Sequence, residues 1–255
     1  MCGRYVLKAT AEELRRLFSF VERPNLAPRY NIAPTQDAPI IRQRRDPAGE
    51  RTIQNLRWGL IQPWADDPKS GPPLINARAE TLAEKPTFRA AFQRRRCLVP
   101  ADGYYQWREG DATKQPYLVA RRDDAPFALA GIWERWGPRH DPAAAIDSFT
   151  IVTTDTNDFL RPFHHRMPVV LAPESYARWL DPDADVAALG VLLAPAPNDL
   201  LHCFPLDRAA NSARADGADL VVRPGPTWYG RAHDRHNIAP RRARARLPWR
   251  GERAL

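Results

Sequence analysis

Apolar positions along this chain change their spacing often, and each change marks a short element. Thr10-Ala11-Glu12-Glu13 forms a capping box, and Leu14, Leu17 and Phe18 follow at helical spacing. A helix is therefore predicted to run to about residue 20, with Pro24 and Pro28 ending it. Residues 31–35 read as a turn, residues 39–41 as a short strand, and residues 57–61 as an apolar stretch broken at Pro63-Trp64. Residues 65–73 are charged and carry Pro and Gly, which predicts an exposed loop. The stretch from Asn76 to Thr81 leads into helical sequence, with a second helix over 87–93. Runs rich in β-branched and aromatic residues predict strands at 96–99, 115–121, 127–136, 149–154 and 167–171. Residues 173–180 read as a helix opened by proline, and 183–193 as another with Asp183 as its N-cap. Strands outnumber helices and do not alternate with them. That predicts an α+β fold with a largely antiparallel sheet, not a doubly wound parallel one.

Composition narrows the class. A chain of 255 residues, 44% hydrophobic and 27% charged, suits a soluble globular protein of one large or two small domains. Its 26 prolines predict many short elements joined by rigid turns. No apolar run approaches the ~18 residues of a membrane span, and no apolar leader segment opens the sequence. Cys2, Cys97 and Cys203 are too few for a disulfide framework, and no His/Cys spacing resembles a metal site. A reducing cytoplasm is the expected setting, without membrane or metal. The net charge of +8 is uneven: residues 226–255 hold eight Arg against Asp234 and Glu252, leaving thirty basic and twenty-eight acidic residues elsewhere. The body is thus expected to end near residue 225. The basic tail beyond it is expected to be solvated and disordered, with some affinity for phosphate.

Cys2 carries the most unusual chemistry. Loss of Met1 would leave a thiol and a free α-amine on adjacent carbons. The amine, with a pKa near ~7.7–8, is partly neutral at cellular pH, and the thiol titrates near ~8.5. An aldehyde meeting the pair can form an imine, which the sulfur then closes into a thiazolidine in a favoured intramolecular step. A lone Cys is only a candidate nucleophile, because a small residue at position 2 also serves simply to permit Met removal.

Three further segments are dense in functional groups: Asn76-Ala77-Arg78-Ala79-Glu80, Pro100-Ala101-Asp102-Gly103-Tyr104-Tyr105-Gln106-Trp107, and His164-His165-Arg166-Met167-Pro168. Each has an ordinary structural reading: Asn76 could cap a helix, Trp107 fill a core, His164 sit in a loop. Their order behind Met1-Cys2-Gly3-Arg4-Tyr5 resembles the SRAP family of abasic-site processing proteins. Asn31-Ile32-Ala33-Pro34-Thr35, Trp58-Gly59-Leu60 and Thr153-Thr154-Asp155 are similar to that family as well. The resemblance spans about residues 2–223. It implies a barrel-like β core with short flanking helices, and a monomer that captures abasic sites in single-stranded DNA without a cofactor. It further implies a covalent thiazolidine link, an accompanying lyase activity, and a cytoplasmic bacterial protein that joins the nucleoid when on DNA.

By the same resemblance, Cys2 is the nucleophile, Asn76 orients it and the sugar, and His164 assists imine chemistry and strand cleavage. Arg4, Arg78 and Arg166 match phosphate-binding arginines, and Trp107 and Thr153 match groups on the DNA-contact face. One position departs: Gln106 stands where the family usually places Glu. An amide can hydrogen-bond but transfers no protons at useful pKa. Gln106 is therefore expected to position the sugar while His164 or Glu80 carries the proton. Two other functions stay open at this level. One is an N-terminal-nucleophile cysteine peptidase with autoproteolytic processing; the other is a non-catalytic single-strand binder.

Overall fold

The computed structural model describes residues 2–44, 49–69, 71–108, 112, 114–137 and 141–223. The basic tail from 226 onward and Met1 lie outside the described residues. Thirteen strands among the described residues form two sheets. The larger contains a closed ring: β3 (Asp37–Gln43), β4 (Arg51–Trp58), β10 (Ile146–Asp155), β9 (Phe127–Trp136) and β6 (Arg96–Ala101), with β6 returning to β3. β3 and β4 are antiparallel from Asp37↔Arg57 to Gln43↔Arg51, and β6 and β9 from Arg96↔Ile132 to Ala101↔Phe127. Only β10–β4 is parallel within the ring, at Ser148↔Arg57 and Phe149↔Trp58. Ile41, Trp58, Leu98, Leu129 and Phe149 are all fully or almost fully buried in the main core. Gly59 leaves the ring at φ +124, and its Cβ would lie 2.8 Å from Pro73 Cβ, so only glycine fits there.

The second sheet is antiparallel throughout, ordered β13 (Leu201–Pro205), β8 (Pro116–Arg121), β7 (Gly103–Trp107), β1 (Tyr5–Leu7), β2 (Arg29–Ile32). One row runs across it: Ile32, Tyr5, Tyr104, Val119, Cys203. That row faces the main core. The opposite face covers a smaller cluster of Val6, Tyr105, Leu118, Phe204, Leu206, Ala210 and Leu220. Asp102 locks β1 in place, its carboxylate accepting from the amides of Lys8 at 2.6 Å and Ala9 at 2.9 Å.

Three α-helices among the described residues flank the strands: α1 (Ala11–Phe18), α2 (Pro86–Arg94) and α3 (Tyr176–Leu180). The predicted α+β class with a largely antiparallel, barrel-like core is the class observed. The Thr10–Glu13 capping box starts α1, and Ser19, left-handed at φ 54, stops it short of residue 20. Several local expectations change. Residues 183–193 form a 3₁₀ segment over Ala187–Leu193 and not an α-helix capped by Asp183. The run 167–171 is two strands, β11 (Arg166–Pro168) and β12 (Val170–Leu171), because β11 pairs with β10 and β12 with β9. Asn76–Arg78 is a strand, β5, before a 3₁₀ turn at Ala79–Thr81. These are tertiary effects: pairing with β10 decides the conformation of three-residue pieces that have little preference of their own.

Arg96 joins the helices to the ring. Its buried guanidinium donates to the carbonyls of Phe92, Gln93 (2.7 Å), Trp179 (2.6 Å) and Asp181, near the C-terminal ends of α2 and α3. Helix C-termini leave carbonyls unsatisfied, and one cation here serves two. Arg96→Ala is expected to strand these acceptors and cost about 3 kcal/mol or more. The check is a urea-unfolding midpoint; a loss under about 1 kcal/mol would mean water replaces the guanidinium at little cost.

Candidate functional site

β10 changes partners halfway along its length. Its first half pairs with β4 and β9, whereas from Ile151 it takes β5 in parallel (Ile151↔Asn76, Val152↔Ala77, Thr153↔Arg78). On its other side Thr153–Asp155 pair with Pro168–Arg166 of β11. This switch gathers Asn76, Arg78, Thr153 and Arg166 from three separate stretches of chain. Asn76 then reaches the N-terminal segment directly: its Nδ2 donates to the Cys2 carbonyl at 2.9 Å. The Asn76 Oδ1 is buried with no hydrogen-bond partner.

Cys2 is completely buried in the main core. Burial pushes its thiol up to about 12, so it is protonated at neutral pH. The thiol makes a long contact with the Arg4 carbonyl at 3.9 Å. Two phenols share its surroundings. Tyr5 and Tyr104 are cross-strand partners, both fully buried, and both phenolic oxygens have no partner. Burial raises both phenols, with the charge of a Cys2 thiolate adding to the rise. Buried polar atoms without a protein partner cost free energy unless a water or ligand meets them. Here three lie around one cysteine.

Arg166 sits in a clamp. Its guanidinium takes both Glu80 oxygens, at 2.7 and 2.9 Å, plus Asp155 at 2.8 Å and the Thr153 carbonyl at 2.7 Å. Burial acts to lower the Arg166 pKa, but Glu80 and Asp155 outweigh it and the net direction is upward. Glu80 is held below the usual carboxylate range, chiefly by its hydrogen bond from Arg166. The Arg166 backbone N–H donates to His164 Nδ1 at 2.9 Å. A nitrogen that accepts carries no proton, so this bond assigns the His164 proton to Nε2. His165 stacks on His164 with ring centroids 4.4 Å apart.

Gln106 is buried, 3% exposed, and by strand alternation lies on the Tyr104 side of β7. It pairs with Tyr117, whose ring meets Phe163 edge-on at 4.8 Å, so the His164 loop lies beside this strand. Trp107 points the other way. It stacks on Tyr105 and donates from Nε1 to Asn211 Oδ1 at 2.7 Å. Arg4 lies on that same side, 6.0 Å from the Trp107 ring, and donates to Asn31 Oδ1 (3.0 Å) and to the carbonyls of Ala210 and Asn211 (3.3 Å each).

The nine residues singled out from the sequence therefore divide. Cys2 and Asn76 touch, and Gln106 and His164 lie on neighbouring elements. Arg78 is exposed and Trp107 half-buried. Thr153 and Arg166 are buried, at 1% and 7% exposure, with their polar groups turned to protein partners. Tyr5, Tyr104 and Asp155 join this site only through the fold. Nothing in their local sequence separates a phenol with an idle oxygen from one that fills a core. Among the described residues no cluster of three His, Cys, Asp or Glu side chains is placed to hold a metal, and no helix is long and apolar enough to cross a membrane.

Residues 1–213 match the family described as SOS response associated peptidase (SRAP). The chain is 37% identical over 226 residues to the abasic site processing protein YoaM of Bacillus subtilis, covering 87% of this chain and 97% of that one. It is 31% identical over 233 residues to the abasic site processing protein YedK of Escherichia coli, covering 87% and 99%. A crystal structure of a Bacteroides thetaiotaomicron protein superposes with a TM-score of 0.75 at 28% identity, covering 88% of this chain and all of that one.

The Glu80–Arg166 pair has a definite pH signature. A carboxyl whose folded pKa lies below its unfolded value of ~4.3 stabilises the fold above that pH, and the contribution fades as pH falls through the folded value. Glu80 is half-exposed, which limits the effect to about 1 kcal/mol. Glu80→Gln should therefore unfold at lower urea than the parent at pH 7, with the gap closing below about pH 4. A gap that stays constant from pH 7 to 3 would remove the ion pair as its source.

Proposed function

Because the chain belongs to the SOS response-associated peptidase family, we propose that it processes abasic sites in single-stranded DNA by linking the sugar aldehyde to Cys2. The observation that carries the reading is the Asn76 amide, which holds the Cys2 carbonyl while its own oxygen stays without a partner in the same buried place. The relatives named above are abasic site processing proteins, which supports the substrate class.

The chemistry follows from the two groups on Cys2. After Met1 is removed, the neutral α-amine attacks the aldehyde of the ring-opened sugar and water leaves, giving an imine. The thiol then adds across the C=N bond: sulfur bonds to carbon and its proton passes to nitrogen, closing the thiazolidine. Amine-first attack needs no thiolate, since the sulfur adds only after the imine has formed. The accompanying lyase reaction removes a proton from C2′ of the imine and breaks the C3′–O bond, expelling the 3′ phosphate.

Opening the sugar and losing water both need a proton donor. Gln106 has no proton to transfer at neutral pH. Both Glu80 oxygens accept from Arg166, and its lowered pKa keeps it anionic. His164, whose N–H lies at Nε2, is left to polarise the departing oxygen through a hydrogen bond while solvent supplies the proton. Exposed Arg78 is suited to a backbone phosphate and Trp107 to a base, the pairing that single-strand binders use. Residues 2–225 form the catalytic and DNA-binding body in this reading, and the Arg-rich tail adds sequence-independent phosphate affinity.

The test is a denaturing gel of the Met-processed protein with abasic single-stranded DNA. A shifted, heat-resistant band that disappears in Cys2→Ala is expected; binding without a band, or peptide cleavage instead, would overturn the reading. Gln106→Glu should change linking and reversal rates by at least about ten-fold, given what a proton-transfer group contributes. Equal rates would show that the amide costs nothing. Removing residues 226–255 should flatten the dependence of DNA affinity on salt, and an unchanged slope would exclude phosphate contacts from the tail.

A further inference from the structure

We propose that Arg166 is a positioning residue whose carboxylate clamp fixes the tautomer of His164. This rests on the capture reading above for its consequence, but not for its geometry. The guanidinium is spent internally: Nη1 donates to Glu80 and Asp155, and Nη2 to Glu80 and the Thr153 carbonyl. Only Nε has no partner, and it is buried. A phosphate arriving from solvent would have to displace two carboxylates and a carbonyl to take this arginine. The backbone of Arg166 is held as firmly, paired with Asp155 in the β10–β11 ladder. Its N–H is aimed at His164 Nδ1 at 2.9 Å. A second backbone bond, from Thr156 N to the His165 carbonyl at 3.0 Å, shapes the same turn. The main chain and the side chain of one residue thus tie the 3₁₀ turn carrying Glu80, strand β10 and the His164 loop together.

The consequence is directional. An imidazole that accepts at Nδ1 carries its proton at Nε2, where it donates and cannot accept. A hydrogen bond from Nε2–H polarises the departing oxygen in ring opening and loss of water, with the proton itself coming from solvent. Abstraction of the C2′ proton at Nε2 would require the other tautomer and cost the bond to the Arg166 amide. A hydrogen bond of ordinary net strength biases a two-state population about five-fold. The clamp therefore favours capture of the sugar over strand cleavage, and loosening it should raise cleavage relative to capture.

The measurement uses the full chain labelled with ¹⁵N, with long-range ¹⁵N–¹H spectra that report which ring nitrogen bears the proton. His164→Asn identifies the signal by its loss. In the parent protein, His164 is expected to show a bare Nδ1 and a protonated Nε2. In Arg166→Lys, which cannot grip two carboxylates in a planar fork, and in Glu80→Gln, a second tautomer should appear. The ratio of cleaved to crosslinked abasic DNA should rise several-fold in both. A parent His164 protonated on Nδ1 would overturn the proposal. Variants with unchanged tautomer and unchanged product ratio would overturn it too. If Arg166→Lys does not fold, Glu80→Gln decides alone, since Glu80 is half-exposed. If the parent forms no crosslink yet the tautomer shifts in the variants, the clamp stands and the capture reading falls.

Discussion

A strand in the middle of a protein must satisfy its backbone hydrogen bonds on both edges along its whole length. β10 meets that demand with two sets of neighbours, closing the ring with β4 and β9 and then engaging β5 and β11. The ring cannot supply partners beyond Ile151, so two short segments are drawn in. Those segments hold Asn76, Arg78 and Arg166. The site is in this sense a by-product of barrel closure: the place where one long strand outruns its ring is where the functional groups meet.

The second sheet contributes through its faces. Alternation on β7 sends Tyr104 and Gln106 towards the main core and Tyr105 and Trp107 towards the small cluster. Cys2 belongs to the first side, Arg4 and Trp107 to the second. The strand pair β1–β7 thus has buried Cys2 behind one face and a polar, aromatic cluster on the other. Asp102 holds the register by binding the amides that follow β1. An aspartate inside a motif rich in functional groups here serves architecture.

Burial organises the electrostatics as well. Removing water from the Cys2 thiol and from the Tyr5 and Tyr104 phenols keeps all three protonated. The carboxylates behave oppositely where they are paired, with Glu80 kept anionic by Arg166. The site therefore separates uncharged donors around Cys2 from a charged clamp behind His164.

Sequence alone determined the fold class, because hydrophobic periodicity and β-branched runs are local signals that survive in a long strand such as β9 or β10. It determined where α1 starts, because a capping box is a contact between residues three apart. It also singled out Cys2, Asn76, Gln106 and His164, because ordered motifs survive without knowledge of distance. Only tertiary structure decided that Asn76 lies in a strand, that Arg166 and Thr153 face inward, and that two phenols beside Cys2 lack partners. Those outcomes depend on pairing across 74 residues from Asn76 to Cys2 and 86 from Arg166 to Glu80. Residue type states what a side chain can donate or accept; only the fold states what is already within its reach.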